Sequence, residues 1–167
     1  MKKLVFDGKL LKLFVEKKTM PHGFVLNMEY IKHPGAVAVV PFLSRDTIVL
    51  IKQYRPVISR YIFEIPAGTL DNGEGLLHCV KREMIEEIGY RAKRIEKLGA
   101  IYTTPGFTTE RIHIFKATGL SFVGRRHEPD ECIETVKTRV SSLPAMVARG
   151  KIIDSKTVAG LALCGLI

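Results

Sequence analysis

The segment from Gly68 to Tyr90 constrains this chain more than any other, because it combines an apolar helical stripe with a cluster of acids. An apolar residue recurs at intervals of three and four, as on one face of a helix. The members of this stripe are Leu77, Val80, Met84 and Ile88. Asp71 and Glu74 have the spacing of a capping box, and Gly89 suits the left-handed residue that ends a helix. Most of the segment is therefore predicted to be one helix.

Three glutamates form a second face of this predicted helix. Glu83, Glu86 and Glu87 fall within roughly 100° of arc at about 100° per residue. Like charges this close destabilise a helix by about 0.2–0.5 kcal/mol per pair, so a purely structural helix gains nothing from them. Oxygen-rich groups at this spacing suit a hard divalent cation such as Mg²⁺ or Mn²⁺. The spacing leaves a second interpretation open, a solvated acidic face in which Arg82 is only a salt-bridge partner.

The same segment resembles the Nudix box, the signature of the Nudix hydrolase superfamily. The matching positions are Gly68, Glu74, Arg82, Glu83, Glu86, Glu87 and Gly89. Met84 is acceptable at its position as a bulky apolar residue, and Tyr90 is a mild departure from the usual aliphatic residue. The resemblance implies an α+β chain with the Nudix fold, in which helices sandwich a mixed β-sheet and a small antiparallel sheet lies at the N-terminus.

Three stretches outside the box resemble one branch of this superfamily, the ADP-ribose pyrophosphatases. They are Lys52-Gln53-Tyr54-Arg55-Pro56, Glu64-Ile65-Pro66-Ala67-Gly68, and Thr104 to Glu110. Pro105 follows the end of the box by 15 residues, and in that branch a proline near this offset marks a preference for ADP-ribose. The resemblance therefore implies Mg²⁺-dependent hydrolysis of ADP-ribose, or of a related nucleoside-diphosphate sugar, to AMP and ribose 5-phosphate.

The resemblance also implies roles for individual residues at the catalytic centre. The implied metal ligands are the Ala67 carbonyl and the carboxylates of Glu83, Glu86 and Glu87. Arg82, grouped with the catalytic residues, is expected to hold the helix against its loop together with Glu74. Similar enzymes carry a glutamate before the last strand that activates or positions the attacking water. Glu131 is expected to be this general base, and Glu134 is the alternative.

Seven residues are predicted to contact the substrate. They are Tyr54, Arg55, Glu64, Pro105, Gly106, Phe107 and Glu110. Arg55 offers a planar fork that suits a phosphate, although a surface salt bridge would use the same fork. Glu110 could accept hydrogen bonds from ribose hydroxyls or be an exposed charge at a strand end. Tyr54 and Phe107 could contact adenine or ribose, or pack in the core, and Pro105-Gly106 is a turn on any account.

The composition is typical of a globular cytoplasmic protein. Of the 167 residues, 46% are hydrophobic, which suits one domain with a substantial core. No apolar run is long enough to cross a bilayer, and the first residues do not resemble a signal peptide. Three widely spaced cysteines, Cys79, Cys132 and Cys164, suit a reducing compartment and are expected to be small core residues. We therefore expect a cytoplasmic location and no membrane partner.

The net charge of +9 has two interpretations. It could attract a polyanionic substrate, or it could reflect ordinary surface lysine and arginine, since the basic residues are spread along the chain. Nucleic acid is not an expected partner on this distribution. Two alternatives to the main prediction remain: a Nudix hydrolase of another substrate, such as a dinucleotide or capped RNA, and a binding module that keeps the fold without turnover.

Residues 1–33 are predicted to form a separate region of short strands. Turn signals at Asp7-Gly8 and at Pro21-His22-Gly23 divide it, and Phe24, Leu26, Met28 and Tyr30 alternate as in a half-buried strand. The exposed edges of such a small sheet need cover, and the family resemblance implies that this region forms a homodimer.

Residues 34–167 are predicted to form the Nudix hydrolase domain. A hairpin is expected from Ala36 to Leu43 and from Thr47 to Lys52. Further strands are expected at 61–66, 99–103, 111–116 and 133–140. A short helix from Ser142 should end near Gly150, and Asp154 should cap a last helix, 155–164. The apolar stripe of that last helix consists of Val158, Leu161 and Ala162.

Overall fold

The computed structural model describes residues 2–8, 11–125 and 132–167. The strands within these ranges are β1 (Lys2–Asp7), β2 (Lys12–Thr19), β3 (Val25–Lys32), β4 (Ala36–Ser44), β5 (Thr47–Arg55), β6 (Arg60–Glu64), β7 (Ala67–Thr69), β8 (Tyr90–Tyr102), β9 (Arg111–Phe122) and β10 (Ile133–Arg139). The α-helices are α1 (Leu76–Glu83), α2 (Leu143–Ala148) and α3 (Ser155–Leu163). Among the described residues, no helix has the length and apolar character needed to cross a membrane.

The N-terminal strands form an antiparallel sheet of their own, in the order β1-β2-β3. Leu26, Met28 and Tyr30 are half-buried and alternate with exposed residues, as predicted, whereas Phe24 precedes the strand and is exposed. The end of β3 is hydrogen-bonded to the segment after β8, because Ile31 N donates to Phe107 O at 2.8 Å and Thr109 N donates to Ile31 O at 3.0 Å. The small sheet is thereby attached beside the loop at 103–110.

The second sheet is mixed and has seven strands. Its main order is β10-β5-β4-β9-β8, with β6 paired to β5 and β7 paired to the start of β4. Strands β4 and β9 are parallel, and the other pairs are antiparallel. The predicted hairpin is confirmed, since Phe42 pairs with Ile48 across the turn. The central position of β4 explains why Val37 to Val40 are at most 1% exposed.

Helices cover both faces of this sheet, which confirms the predicted sandwich. Successive residues of β4 point to opposite faces, so Ala38 and Val40 join a core with α2 and α3. Val37 and Val39 join a second core with α1. Both faces of a central strand are buried only when each face has a covering layer, and this explains its continuous apolar run.

Helix α1 begins later than predicted. Asp71 and Glu74 do interact, since Asp71 N donates to Glu74 Oε2 at 3.2 Å, but they form a turn before the helix, and Gly75 is the N-cap. The buried stripe contains Cys79, Val80, Met84 and Ile88, whereas Leu77 is 51% exposed. The predicted place of Leu77 in the stripe is wrong, because Leu76 faces the core and the next residue is turned about 100° away.

The end of this helix widens into a π turn at Met84–Ile88, a feature frequent at functional sites. Gly89 ends the turn with a φ of 76°, which confirms the predicted left-handed stop.

Other local predictions also differ from the structure, and β9 extends to Phe122 where the predicted strand ended at residue 116. β8 begins at Tyr90, not at Gly99, because charged residues on this edge strand obscure its alternation. In α3, Asp154 Oδ2 accepts from Thr157 N at 2.9 Å, which confirms the cap. Leu161 is buried as expected, but Ala162 is exposed, and the buried positions of α3 are Thr157, Gly160 and Leu161.

Candidate active site

An acidic cleft of about 290 Å³ lies between α1 with its π turn and the ends of β5 and β7. It is lined by Glu83, Glu86 and Glu87, together with Gln53, Arg55, Arg82 and the backbone of residues 67–69. The three glutamates that the sequence placed on one helical face thus share one cleft, with the Ala67-Gly68 backbone opposite. We refer to this site below as the acidic cleft.

Two of the three glutamates are almost completely buried. Glu83 is 8% exposed and Glu87 is 3% exposed. Glu87 Oε2 accepts a hydrogen bond from Ala67 N at 2.9 Å, which ties the π turn to β7. The Glu83 carboxylate lies against the backbone of Gly68, where any side chain would overlap it. A side chain at position 68 would therefore displace the Glu83 carboxylate, so glycine is favoured here by close approach and not by an unusual φ.

Arg82 connects the acids to the loop before the helix. Its guanidinium donates to both carboxylate oxygens of Glu74 at 3.0 Å, to Glu83 Oε1 at 2.6 Å and to Glu86 Oε2 at 3.0 Å. This arrangement lowers the pKa of Glu74 well below its usual value, chiefly through the hydrogen bond from Arg82, and the same bond raises the pKa of Arg82. The geometry suits the predicted role of Arg82 and Glu74 in holding the helix against its loop.

Cys79, beside this network, is not a candidate nucleophile. Its Sγ lies 3.3 Å from Arg82 Nη2, and its side chain is buried. Burial raises the pKa of the thiol to about 12, so it remains protonated at neutral pH. Of the three cysteines, Cys79 is in the core as predicted, whereas Cys132 is exposed and Cys164 is half-buried.

The donor atoms of the acidic cleft suit a divalent cation, although they are not arranged around one. Among residues 2–8, 11–125 and 132–167, no three His, Cys, Asp or Glu side chains converge as a metal cluster. In this arrangement Arg82 pairs with Glu83 and Glu86. Gln53 is 7% exposed, and its Oε1 has no hydrogen-bond partner within the described ranges. Three carboxylates beside an unsatisfied amide oxygen form an all-oxygen donor set, which fits a hard cation or its bound water.

A second, wider cleft of about 370 Å³ adjoins the acidic cleft. The two share Arg55, Ala67, Gly68 and Thr69 in their lining. The rest of the wide cleft is lined mostly by polar residues, with Ala36 and Ile112 beside them. The polar residues are Thr103, Thr104, Glu110, Asp154, Ser155 and Lys156. Glu110 Oε2 accepts from Thr103 Oγ1 at 2.7 Å, and its Oε1 lies 3.5 Å from His33 Nε2. Glu110 is therefore held in position, and it lines a cleft as a substrate-binding residue should.

Arg55 stands between the two clefts and forms an ion pair with a buried carboxylate. Its Nε and Nη2 donate to Glu64 Oε1 and Oε2 at 2.6 and 2.7 Å. The Arg55 side chain is 42% exposed, whereas that of Glu64 is 1% exposed. The fork of Arg55 is thus paired with a carboxylate inside the protein, while its partly exposed side chain lines both clefts.

The other predicted substrate contacts line neither cleft. Pro105 and Gly106 lie in an exposed turn in which Phe107 N donates to Thr104 O at 3.1 Å. Phe107 is 55% exposed. Tyr54 packs against Tyr61 with a ring-centroid distance of 5.2 Å. Their roles in binding stay predictions.

The predicted general base falls outside the described residues, because Glu131 belongs to the range 126–131. The alternative, Glu134, lies on β10 with its side chain 67% exposed, and its Oε2 is 3.5 Å from Lys52 Nζ.

Sequence reasoning missed two residues that the structure places at the clefts. The sequence pattern assigns Gln53 no role beyond its place in the Lys52–Pro56 motif, but its side chain lies on β5 and lines the acidic cleft. Lys156 lines the wide cleft and contacts both Glu64 and Asp154. A signal for Lys156 was available, since a lysine in the first turn of a helix opposes the helix dipole and needs an acidic partner.

Comparisons with known proteins agree with this geometry. The chain is 39% identical to an ADP-ribose pyrophosphatase of Bacillus subtilis (strain 168), over 93% of this chain and 85% of that protein. It is 36% identical to a methanol dehydrogenase activator of Bacillus methanolicus, over 92% of this chain and 84% of that protein. A crystal structure of an ADP compounds hydrolase superposes with a TM-score of 0.87 at 20% identity, covering 98% of this chain and 89% of that chain, and shows the same fold. Because the sequence model of the NUDIX domain matches residues 32–157, most of the chain and all of both clefts, the chain belongs to the NUDIX domain family.

Proposed function

We propose that this protein is a hydrolase that cleaves the diphosphate of ADP-ribose, or of a closely related nucleoside-diphosphate sugar, with Mg²⁺ or Mn²⁺ as cofactor. One water is added across the P–O–P bridge, one P–O bond breaks, and AMP and ribose 5-phosphate leave. The observation that carries the proposal is the junction of the two clefts. The acidic cleft, which contains an all-oxygen set of possible metal ligands, adjoins the wide polar cleft, and Arg55 lines both. The similarity to an ADP-ribose pyrophosphatase over 93% of the chain supports the choice of substrate.

The acidic cleft is the proposed catalytic centre. Glu83, Glu86 and Glu87, with the Ala67 carbonyl, would hold the cation, and a bound cation would supply charge to neutralise diphosphate oxygens and a site to orient a water. Arg82, itself held by Glu74, maintains the position of the Glu83 and Glu86 carboxylates through the hydrogen bonds described above. Glu131 is the proposed general base, with Glu134 as the alternative.

The wide cleft is the proposed site of the sugar and nucleoside. Its volume of about 370 Å³ lies within the usual range for small-ligand pockets. Glu110 and the neighbouring threonines can bond to hydroxyl groups, and the N–H groups of Arg55 can bond to a phosphate. Tyr54 and the turn Pro105-Gly106-Phe107, which line neither cleft, stay proposed contacts of the substrate, with Tyr54 and Phe107 at its adenine or ribose, whereas Glu64 acts through its pairing with Arg55.

A homodimer through residues 1–33 is part of the proposal. The small sheet exposes large apolar side chains that a second copy would cover. They are Leu4, Val5, Phe6, Phe24 and Val25, each at least 41% exposed. Light scattering of the purified chain should give twice the mass of one chain; a mass of 18.7 kDa would contradict the dimer.

We also propose that the protein acts in the cytoplasm. The cysteines at 79, 132 and 164 are all free thiols, which suits a reducing compartment.

The experiment that tests the function compares AMP release from ADP-ribose with and without Mg²⁺, in the native chain and in Glu83→Gln. Release should require the metal and fall at least about 100-fold in the variant, since even outer partners of metal ligands are worth 10–100-fold. Glu96→Gln, which changes an exposed carboxylate on β8, is the matched control and should be close to native.

The other outcomes separate the alternatives. A native chain that binds Mn²⁺ but releases no AMP would favour another substrate, such as a dinucleotide or capped RNA. A chain that binds no metal would favour a binding module without turnover.

A further inference from the structure

The buried carboxylate of Glu64 has two cationic partners, which come from different elements of the fold. Arg55 on β5 binds it with two hydrogen bonds. Lys156 on α3 donates to Glu64 Oε2 and also to Asp154 Oδ1, the latter at 3.0 Å. Burial alone would raise the pKa of Glu64, but the Arg55 hydrogen bond and the Lys156 charge outweigh it and lower the pKa. Glu64 is therefore ionised at neutral pH, inside the protein.

The position of Lys156 is set by the core. Its neighbour Thr157 is completely buried. The Thr157 hydroxyl accepts from Ile65 N at 2.9 Å and donates to Asp154 Oδ2 at 2.6 Å. These bonds attach the first turn of α3 to the residue that follows Glu64. Lys156 is consequently held beside Glu64 whether or not Arg55 is bound to Glu64.

The two cations differ in their access to a ligand. The Lys156 side chain is 12% exposed and the Arg55 side chain is 42% exposed. Arg55 lines both clefts, whereas Lys156 lines only the wide one. Arg55 is therefore the partner that can turn toward an anionic ligand at the junction, and Lys156 is the partner that stays.

We propose that Lys156 is a positioning residue that compensates the charge of Glu64 while Arg55 leaves Glu64 to bind the diphosphate. This inference rests on the proposed function, in which a diphosphate occupies the junction of the clefts. An unpaired buried carboxylate is strongly unfavourable. Without Lys156, the release of Arg55 would leave Glu64 in that state, so Arg55 would remain on Glu64 and ligand binding would weaken. With Lys156 in place, Arg55 can leave the Glu64 carboxylate and bind the diphosphate.

The test measures binding of α,β-methylene ADP-ribose, whose bridge cannot be hydrolysed, together with turnover of ADP-ribose. We expect Lys156→Met to raise the dissociation constant and KM about tenfold while kcat falls less than threefold. Lys156→Arg should restore binding to within threefold of native. In the double variant Lys156→Met/Glu64→Gln the buried carboxylate that retains Arg55 is gone, so binding should return to the level of Glu64→Gln alone.

A purely structural role for Lys156 predicts a different pattern. The melting temperature of Lys156→Met would fall with no change in the dissociation constant, and this result would overturn the proposal. If Lys156→Met fails to fold, Glu64→Gln tests the proposal instead. Tighter or unchanged binding of the analogue by Glu64→Gln would support the move of Arg55 from Glu64 to the diphosphate, because Arg55 is then no longer retained by Glu64. Weaker binding would mean that Glu64 orients Arg55 for the ligand, and the proposed move of Arg55 would be wrong.

The same variants distinguish this proposal from the choice of substrate. If the native chain neither hydrolyses ADP-ribose nor binds its analogue, the proposed substrate fails, and inorganic pyrophosphate with Mg²⁺ becomes the probe. A tenfold loss of pyrophosphate affinity in Lys156→Met that the double variant reverses would still support the move of Arg55. Equal pyrophosphate affinity in the native chain and Lys156→Met would overturn it.

Discussion

The carboxylate of Glu83 lies so close to the backbone of Gly68 that a methyl group on Gly68 would overlap it. Gly68 is on β7, where it pairs with Val37 of the central strand, so its backbone cannot easily move away. Glu83 is on the last turn of α1 and is 8% exposed. The absence of a side chain at position 68 therefore determines where one of the proposed metal ligands points.

Replacing Gly68 by alanine should displace the Glu83 carboxylate and impair metal binding. We expect at least a tenfold weaker Mn²⁺ affinity and a similar loss of kcat/KM, since mutating a residue that only orients a metal ligand typically costs 10–100-fold. Mn²⁺ titration followed by electron paramagnetic resonance measures the Mn²⁺ affinity. Gly75→Ala is the matched control, because its φ is −77° and an added methyl group would meet open space. Native Mn²⁺ affinity in Gly68→Ala would contradict this account of the site.

Replacing Glu74 by glutamine should change how stability depends on pH. The folded-state pKa of Glu74 lies below its ordinary value of 4.5, so the ionised carboxylate stabilises the fold above that pH. This contribution is lost progressively as the pH falls below about 4.5 toward the folded-state value. Loss of the charged hydrogen bonds should cost about 2 kcal/mol at pH 7. Melting curves from pH 7 to pH 3 give the melting temperatures of the native chain and of Glu74→Gln. The gap between these two temperatures should narrow toward pH 3. A constant gap in melting temperature from pH 7 to pH 3 would show that the ionised Glu74–Arg82 pair is not the source of the stabilisation.

Replacing Gly160 by alanine should destabilise the packing of α3 on the sheet. An added Cβ would lie 2.8 Å from Ile65 Cδ1 and 3.2 Å from Val40 Cγ2. Such overpacking lowers the free energy of unfolding by about 1–3 kcal/mol, whereas the higher helix propensity of alanine raises it by about 1 kcal/mol. We expect the melting temperature to fall by about 2–4 °C per kcal/mol of net loss.

Ala162→Gly, at an exposed position of the same helix, is the control for the propensity contribution. It should lower the melting temperature through propensity alone. A higher melting temperature in Gly160→Ala would mean that the neighbouring side chains move aside at no cost.

Local patterns in the sequence predicted what depends on local geometry. The spacing of Glu83, Glu86 and Glu87 places them on one side of any helix, and they do line one cleft. Gly89 takes the left-handed conformation that ends the helical segment. The hairpin of β4 and β5 and the cap at Asp154 are likewise set by residues close together in the chain.

Predictions of which side chains are buried were less secure. Leu77 and Ala162 fit an apolar stripe by spacing, yet both are exposed. A helix of this length satisfies several overlapping stripes, and the neighbouring sheet selects one of them. The length of β8 was underestimated for a related reason, because an edge strand carries charges that interrupt its alternation.

The sequence by itself determined the family, the acidic helical face and its chemistry, because these follow from residue types at short, regular spacings. Only the tertiary structure decided that Lys156 would meet Glu64, 92 residues earlier, and that Arg55 would stand between two clefts. The packing of α3 against the sheet brings those residues together, and no local periodicity encodes it. The partners of a buried charge depend on which elements pack around it, and that is a property of the whole fold.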